Sequence, residues 1–554
     1  MEAPFLREAR AHTSTRYWLL KTLCLNNLYG VDLMAEAAEI AKLRLFLKLA
    51  AQLDNASHIE PLPDLDFNIK SGNLLVGIAD AEDIERRFSD RGVLPFGIAE
   101  VEDAVESAAV AYEEFVAIQD STDDLAALQR AKGLLRTRIG QVADQADRGL
   151  HKMRGDAAPL ETWKETHKPF HWFAEFPTVW RNGGFDAIIG NPPYIGLKGK
   201  KRSQFDYKWI GYETGNCPDI YAVCAERAST LLNDKGRFAM IVMHSLCYSN
   251  DFELLRNNLS VQFSTLWLSS YSRASDSLFS GSAKVRNSIV ISGKGGKRRI
   301  YTTRCHRWLT PSRPYLFSSI EYGNPSRVLF NCGDATKWPF IDDGDVVDAF
   351  TSLAEMCAPL VSVNNKSGQL FDLGVKKVAA VQTLGAFVTE PPVVDPISRR
   401  PVTTNSSQPS WFNFQNERSR DLALLCLAGR WGYLWWLMFG DEFHVTRSVL
   451  SALPCDIERL AASHHPPCDM ELVSLVQRML GLSRELQDEM VKYVEFNLRG
   501  SGNARMLVGR YMMWKLRHIT DEADWLLAQA WGLTREQYEA AGNLRDRMTF
   551  GNRE

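Results

Sequence analysis

The run Phe185-Asp186-Ala187-Ile188-Ile189-Gly190 stops abruptly at Asn191-Pro192-Pro193-Tyr194, and this pairing restricts the fold more than any other feature of the chain. Proline has no N–H to give a helix or ladder, and two in a row stiffen the loop that holds them. The residue ahead of a proline is also driven out of the helical region. The stretch therefore reads as a buried strand that delivers Asn191 and its neighbours to a rigid loop. Two other segments share this logic. Asn27-Leu28-Tyr29-Gly30-Val31-Asp32-Leu33 is a short strand ending in an acid, with an amphipathic helix behind it from Glu36 to Leu47. Asp64 to Asn73 is a strand with an amide just past its end. Acid and amide groups at the ends of parallel strands sit where α/β sheets bind nucleotides. A plain helix N-cap is the other use for Asp32.

The Asn-Pro-Pro-Tyr loop has its own chemistry. The Asn191 side-chain carbonyl and the Pro192 backbone carbonyl are two acceptors, matched to the two hydrogens of an exocyclic amine. The Tyr194 ring can stack on a base. A base inside a duplex is out of reach, so a loop of this kind reads a base that has been flipped out. A Pro-rich turn after a buried strand is the alternative.

Asn-Leu-Tyr-Gly-Val-Asp, Phe-Asn-Ile-Lys-x-Gly-Asn and Asn-Pro-Pro-Tyr follow one another in this order, from residue 27 to residue 194. With them the chain resembles the large adenine-specific DNA methylases of type II restriction–modification systems, including the type IIG fusions. The resemblance runs from about Tyr17 to the last helices. It implies an α/β fold with a class I methyltransferase-like (Rossmann-like) sheet, S-adenosylmethionine as cofactor and double-stranded DNA as partner. The reaction implied is methyl transfer to the N6 amine of a flipped-out adenine. On the same ground Asp32 bonds the cofactor ribose, Asn73 lies near its adenine, and Asn191, Pro192, Pro193 and Tyr194 form the catalytic loop. No metal is required. The chain departs from that family in one respect. The family's Gly-rich cofactor loop lies upstream of the first of these motifs, and residues 1–26 contain no glycine. The expectation is a sheet that is N-terminally incomplete, lacking the strand between those ending at Asp32 and Ile189. An upstream polypeptide carrying the loop is the partner this implies, beside a restriction nuclease.

A chain of 554 residues exceeds one core, and its segments read as five. These are a first part of the methyltransferase core (1–78), a helical insertion (79–169), the second part of the core (170–305), a mixed α/β target-recognition domain (306–460) and a helical C-terminal region (461–554). Within the insertion, Ser121-Thr122-Asp123-Asp124 signals a helix start, and the pattern continues to about Gln145. The net charge of −3 gives no general affinity for nucleic acid, so any DNA contact must be local. Lys198, Lys200, Lys201 and Arg202, just beyond the Tyr194 loop, are placed to meet phosphates. Ten cysteines without a Cys-x-x-Cys pair fit reduced thiols and a cytoplasmic protein. The most apolar stretch, Leu422 to Phe439, carries Arg430 and two glycines, and reads as a core helix–turn element with no membrane role. His444 reads as structural.

Two other classes compete. Asp32 with Glu39 and Lys42 superficially imitates a metal-nuclease set, but the Glu–Lys spacing is one residue too long and both lie on a helix. A non-catalytic DNA-binding fragment, or half of a split methylase, is the reading that the departure from the family pattern supports.

Overall fold

The computed structural model describes the chain apart from residues 1–3, 54–62, 81–82, 84–97, 122–123, 156, 198–206, 274–275, 280–284, 332–335, 361–369, 379–382, 389–392, 395–396, 400, 403–408, 464–468, 500–505 and 551–554. It divides into two compact units, residues 1–238 with 293–295, and residues 239–292 with 296–554.

In the first unit the Thr15–Asn26 helix starts at Ser14, whose hydroxyl accepts the Tyr17 N–H at 3.4 Å. Strand β1 (Gly30–Asp32) follows, then the Ala35–Ala50 helix, then β2 (Ile69–Ser71). β1 and β2 pair in parallel, with Gly30 opposite Ile69 and Asp32 opposite Ser71. Buried Asn68 fixes the approach to β1, since its amide donates to the carbonyls of Leu25 at 2.8 Å and Leu28 at 3.2 Å. β3 (Phe185–Gly190) and β4 (Leu232–Met243) begin a second sheet, and β4 continues into the second unit.

The sheet order leaves two strands with an open edge. β1 and β2 stand as a two-stranded sheet by themselves, while the other sheet runs β3-β4-β6-β5-β7 and has β3 at its edge. Among the described residues nothing pairs with the second edge of β1 or of β3. Between the approaches to these strands lies a cleft of about 670 Å³, lined by Asn27 and Tyr29 on one side and Phe185, Asp186 and Ala187 on the other. The Tyr29 and Phe185 rings meet edge-on across it at 5.8 Å. Ile189, an apolar residue in the middle of a strand, is 85% exposed.

Two long helices occupy most of residues 98–154. Helices Ile98–Ser121 and Leu125–Arg154 pack together, and the second opens on Asp124, whose carboxylate accepts the N–H groups of Ala126 and Ala127. That helix passes the expected end near Gln145 and stops only at Gly155, in the left-handed region at φ 67°. Charge ties it to the core. Asp66 takes Lys42 at 2.7 Å from the Ala35–Ala50 helix, and Lys132 at 2.6 Å and Arg136 at 3.0 Å from the insertion. Burial works to raise the Asp66 pKa, but the Lys132 and Lys42 hydrogen bonds outweigh it and hold it at about 2. The folded value lies below the usual 3.8, so this contribution is complete above about pH 4 and is lost as pH falls toward 2. Amide exchange across Leu125–Arg154 should accelerate over that window in the wild type, relative to its intrinsic rate. Asp66→Asn should flatten the dependence, and an identical profile in the variant would remove Asp66 from this role.

In the second unit, β5 (Thr265–Tyr271), β6 (Asn287–Gly293) and β7 (Arg299–His306) complete the five-stranded sheet. β5 and β7 run parallel. Then come β8 (Phe371–Val378), β9 (Thr383–Phe387), a small pair β10 (Val393–Val394) and β11 (Pro401–Val402), and β12 (Ser410–Phe414). They form a β12-β8-β9 antiparallel sheet and a β10-β11 pair. The core of this unit centres on two helices, Glu417–Ala428 and Arg430–Phe439, bent by 65° at Gly429. This is the Leu422–Phe439 stretch, and nearly every side chain in it is buried within the protein. Among the described residues no single helix is long and apolar enough to cross a membrane. Gly429 is required at the bend, because a Cβ there would lie 2.1 Å from Asp524 Oδ1. Residues 461–554, expected to be helical, also hold a hairpin of β13 (Val494–Arg499) and β14 (Met506–Tyr511).

Arg430 is the charged centre of that core. Both oxygens of Asp524 accept its backbone N–H, at 3.1 and 2.9 Å, and Oδ2 also takes its Nε at 3.3 Å. The guanidinium further donates to Asp521 and the Tyr538 hydroxyl at 3.0 Å and lies 3.9 Å from the Tyr538 ring centre. Asp524→Ala should therefore leave the buried Arg430 N–H without its acceptor and the guanidinium with Asp521 as its remaining carboxylate among the described residues, and cost about 3 kcal/mol. The check is a lower denaturant midpoint for this unit, and a shift of under about 1 kcal/mol would contradict it.

Candidate active site

Three strand ends of the first unit carry the candidate groups. β1 ends at Asp32. The Asp32 side chain is exposed and spends Oδ1 on the Met34 N–H at 2.8 Å, while Oδ2 has no protein partner among the described residues. Asp32 is not the helix N-cap: that position is Met34, without a side-chain cap bond, ahead of the helix that begins at Ala35, and one Asp32 carboxylate oxygen remains for a ligand.

Asn73 lies just past β2. Its Oδ1 accepts the Leu75 N–H at 3.1 Å, and its own N–H donates to the Lys168 carbonyl at 2.7 Å. Between these strand ends is a cleft of about 310 Å³, lined by Leu33, Ser71, Gly72, Asp147, Lys164 and Pro169. This volume is at the small end for a ligand site. Asp147 and Lys164 come from the insertion, so the insertion supplies one wall of the cleft. The pair is held at 3.3 Å, and Asp147 is also fixed by buried His171 at 3.0 Å. Sequence reasoning missed both. No motif marks them, and they reach the cleft only because residues 168–172 return to bond residues 73–78.

The third group is the loop after β3. Asn191 is exposed and Pro192 buried, and the Tyr194 hydroxyl donates to the Asn191 side-chain oxygen at 3.5 Å. Beyond Tyr194 the chain is fastened. The Ile195 N–H donates to buried Asp219 at 3.2 Å, the Leu197 N–H to the Pro218 carbonyl at 2.6 Å, and the Ile220 N–H to the Ile195 carbonyl at 3.2 Å. Asp219 also accepts the Tyr221 N–H at 3.3 Å, at the head of the Tyr221–Thr230 helix. Burial moves its carboxyl pKa up, against the pull of these backbone donors. The Tyr221 ring meets Tyr194 edge-on at 6.4 Å. Asn191 and Tyr194 therefore touch each other, while the cleft is lined by Leu33, Ser71 and Gly72, the neighbours of Asp32 and Asn73, and not by those two residues themselves. Lys198, Lys200, Lys201 and Arg202 lie outside the described residues.

The nuclease-like set is otherwise engaged. Lys42 pairs with Glu39 at 2.8 Å and Asp66 at 2.7 Å on the flank of the Ala35–Ala50 helix. His444 is exposed and bonded to Asp441.

Comparison with known proteins agrees with these motifs. A Methanocaldococcus jannaschii protein named as a type II restriction enzyme and methyltransferase is 26% identical over 324 residues, which is 49% of this chain and 26% of that protein. The chain thus spans about a quarter of the curated relative it matches. Among solved structures, the type IIL restriction–modification enzyme MmeI in complex with DNA aligns over 99% of this chain and 78% of its own, with TM-score 0.40 and 12% identity. A nuclease-deletion mutant of the type ISP enzyme LlaGI aligns over 46% and 26%, with TM-score 0.25 and 15% identity. Residues 26–272, which hold all three strand ends, match the family of Eco57I restriction-modification methylases.

Proposed function

We propose that this chain is the methyltransferase part of a restriction–modification system, and that it methylates the N6 amine of an adenine flipped out of double-stranded DNA. The observation that carries this reading is the Asn191–Tyr194 loop at the end of β3, inside the segment that matches the methylase family. The Asn191 oxygen and the Pro192 carbonyl accept the two amine hydrogens and shift electron density onto the nitrogen. Tyr194 stacks on the base, and its hydroxyl gives up the Asn191 oxygen to the incoming amine. Orientation of the nitrogen lone pair supplies most of the rate, without a covalent protein intermediate. S-adenosylmethionine would be held at the ends of β1 and β2, where the unspent Asp32 oxygen can take a ribose hydroxyl. When bound there it supplies the electrophilic methyl group. The test is transfer of labelled methyl to duplex DNA followed by nucleoside analysis. Label in N6-methyladenine supports the reading, and label in cytosine products alone contradicts it.

One observation favours a second reading, a methylase half that needs another segment. β1 and β3 each keep an open edge, with a cleft between their approaches. A third strand inserted there, parallel to both, would join the two sheets and bring a glycine-rich turn to the Asp32 end.

A further inference from the structure

The second unit holds a group of cations that none of this chemistry uses. The Arg273 guanidinium lies 4.2 Å from the centre of the Phe443 ring, that of Arg286 lies at 5.0 Å, and the Lys377 ammonium at 4.9 Å. All three therefore sit within about 10 Å of one another, inside a Debye length at moderate salt. Arg307 joins them through Glu442, at 3.4 Å. They converge from the ends of β5, β7 and β8 and from the residue before β6.

Two acids are near, and both are engaged. Glu442 accepts the Ser272 hydroxyl at 3.2 Å besides Arg307. Asp441 accepts the N–H groups of Phe443 at 2.9 Å and His444 at 2.6 Å, and also the His444 ring. The cations outnumber these acids by two. Arg286 Nη1 and Arg307 Nε are sealed from solvent and have no acceptor among the described residues. Buried charged donors without an acceptor are costly. Lys377 donates to the Glu442 carbonyl at 2.7 Å, yet its pKa is lowered, by burial first and by Arg307 next. Arg286 also faces the Tyr248 ring at 5.6 Å and Lys377 the Trp436 ring at 5.7 Å, but aromatic faces attract cations without neutralising them. An excess of cations suits an anion with several acceptor oxygens, and guanidinium forks match phosphate in this respect.

We propose that Arg273, Arg286 and Lys377 on the Phe443 ring form a phosphate site that grips the DNA backbone. Arg273 is exposed, which leaves the site open to a polymer at its rim. The proposal rests on the reading that the chain acts on DNA.

The test uses the full chain and a short fluorescent duplex, with affinity measured by anisotropy over a range of salt. Arg273→Gln with Lys377→Met should lower the slope of log affinity against log salt by about 0.9 for each phosphate no longer neutralised. Preference between sequences should stay the same, because groups that hold phosphates position the duplex and do not specify it. Phe443→Leu keeps the cations and should keep most of the slope. A wild-type slope in the double variant, with an unchanged melting curve, overturns the site and leaves the methylase reading standing. Failure of the wild-type chain to bind any duplex overturns both. Stabilisation of the wild type, but not the double variant, by inorganic phosphate with equal duplex slopes would assign the cluster to a free anion, and so overturn the DNA contact.

Discussion

Asn191→Ala is expected to lower the rate of adenine methylation by about 10²-fold or more, with a much smaller change in duplex affinity. The Asn191 oxygen already accepts a hydrogen bond from Tyr194 at 3.5 Å, the donor that the amine would replace. Its loss leaves the Pro192 carbonyl as a lone acceptor. Removing one preorganised hydrogen-bonding group from a site of developing charge costs about 10²–10³ in rate. Tyr194→Ala should behave differently and weaken binding of the flipped base by about 1–3 kcal/mol, the range for base–aromatic stacking. Single-turnover methylation separates the two. Near-normal single-turnover rates for Asn191→Ala, in a form of the enzyme that is active, would remove the loop from the chemistry.

Residues 1–554 by themselves should bind S-adenosylmethionine weakly, at millimolar levels or beyond detection. The Asp32 carboxylate has one oxygen left over and Asn73 is tied into its own turn, so the chain offers few side-chain hydrogen bonds. Each contributes about 0.5–1.5 kcal/mol net. A backbone cradle at a strand end does more, because glycines let the main chain close on the ligand. A polypeptide that adds a parallel strand ending in a glycine-rich turn, fused or in trans, should restore micromolar binding. Calorimetry with cofactor decides the matter. Micromolar affinity without any added segment would show that the open edges of β1 and β3 do not matter to cofactor binding.

The strand ends were legible because each has a local cause. Two prolines stop β3, an acid follows Val31, and a glycine–asparagine pair follows β2. The helical insertion was legible through its Asp124 cap, although its extent was not. No break interrupts the helix before Gly155, and a charged amphipathic pattern does not mark its own end. The wall residues Asp147 and Lys164 were invisible for another reason, since they reach the cleft only through backbone bonds between distant segments. The Phe443 cluster is the extreme case. Residues 273, 286, 377 and 443 form no spacing that a linear pattern can signal. The β13–β14 hairpin went unread because it interrupts a run of good helix formers. Asn68, quoted only as a motif letter, proves to fasten the end of the Thr15–Asn26 helix to the start of β1.

The insertion begins and ends at one seam within the first unit. Val76 and Ile78 accept the N–H groups of Phe170 and Trp172, at 2.7 and 3.0 Å. Gly77 lies between them at φ 146°, where a Cβ would come within 2.0 Å of the Phe170 carbonyl oxygen. The entropy of closing a loop grows only logarithmically with its length, so the seam itself tolerates changes of length, but the helices beyond it also bury Val105, Val142, Ala146 and Leu150 against Leu75, Val76 and Ile78. A shortened chain that joins the seam directly should therefore lose that packing, whereas a side chain at Gly77 should break the seam itself.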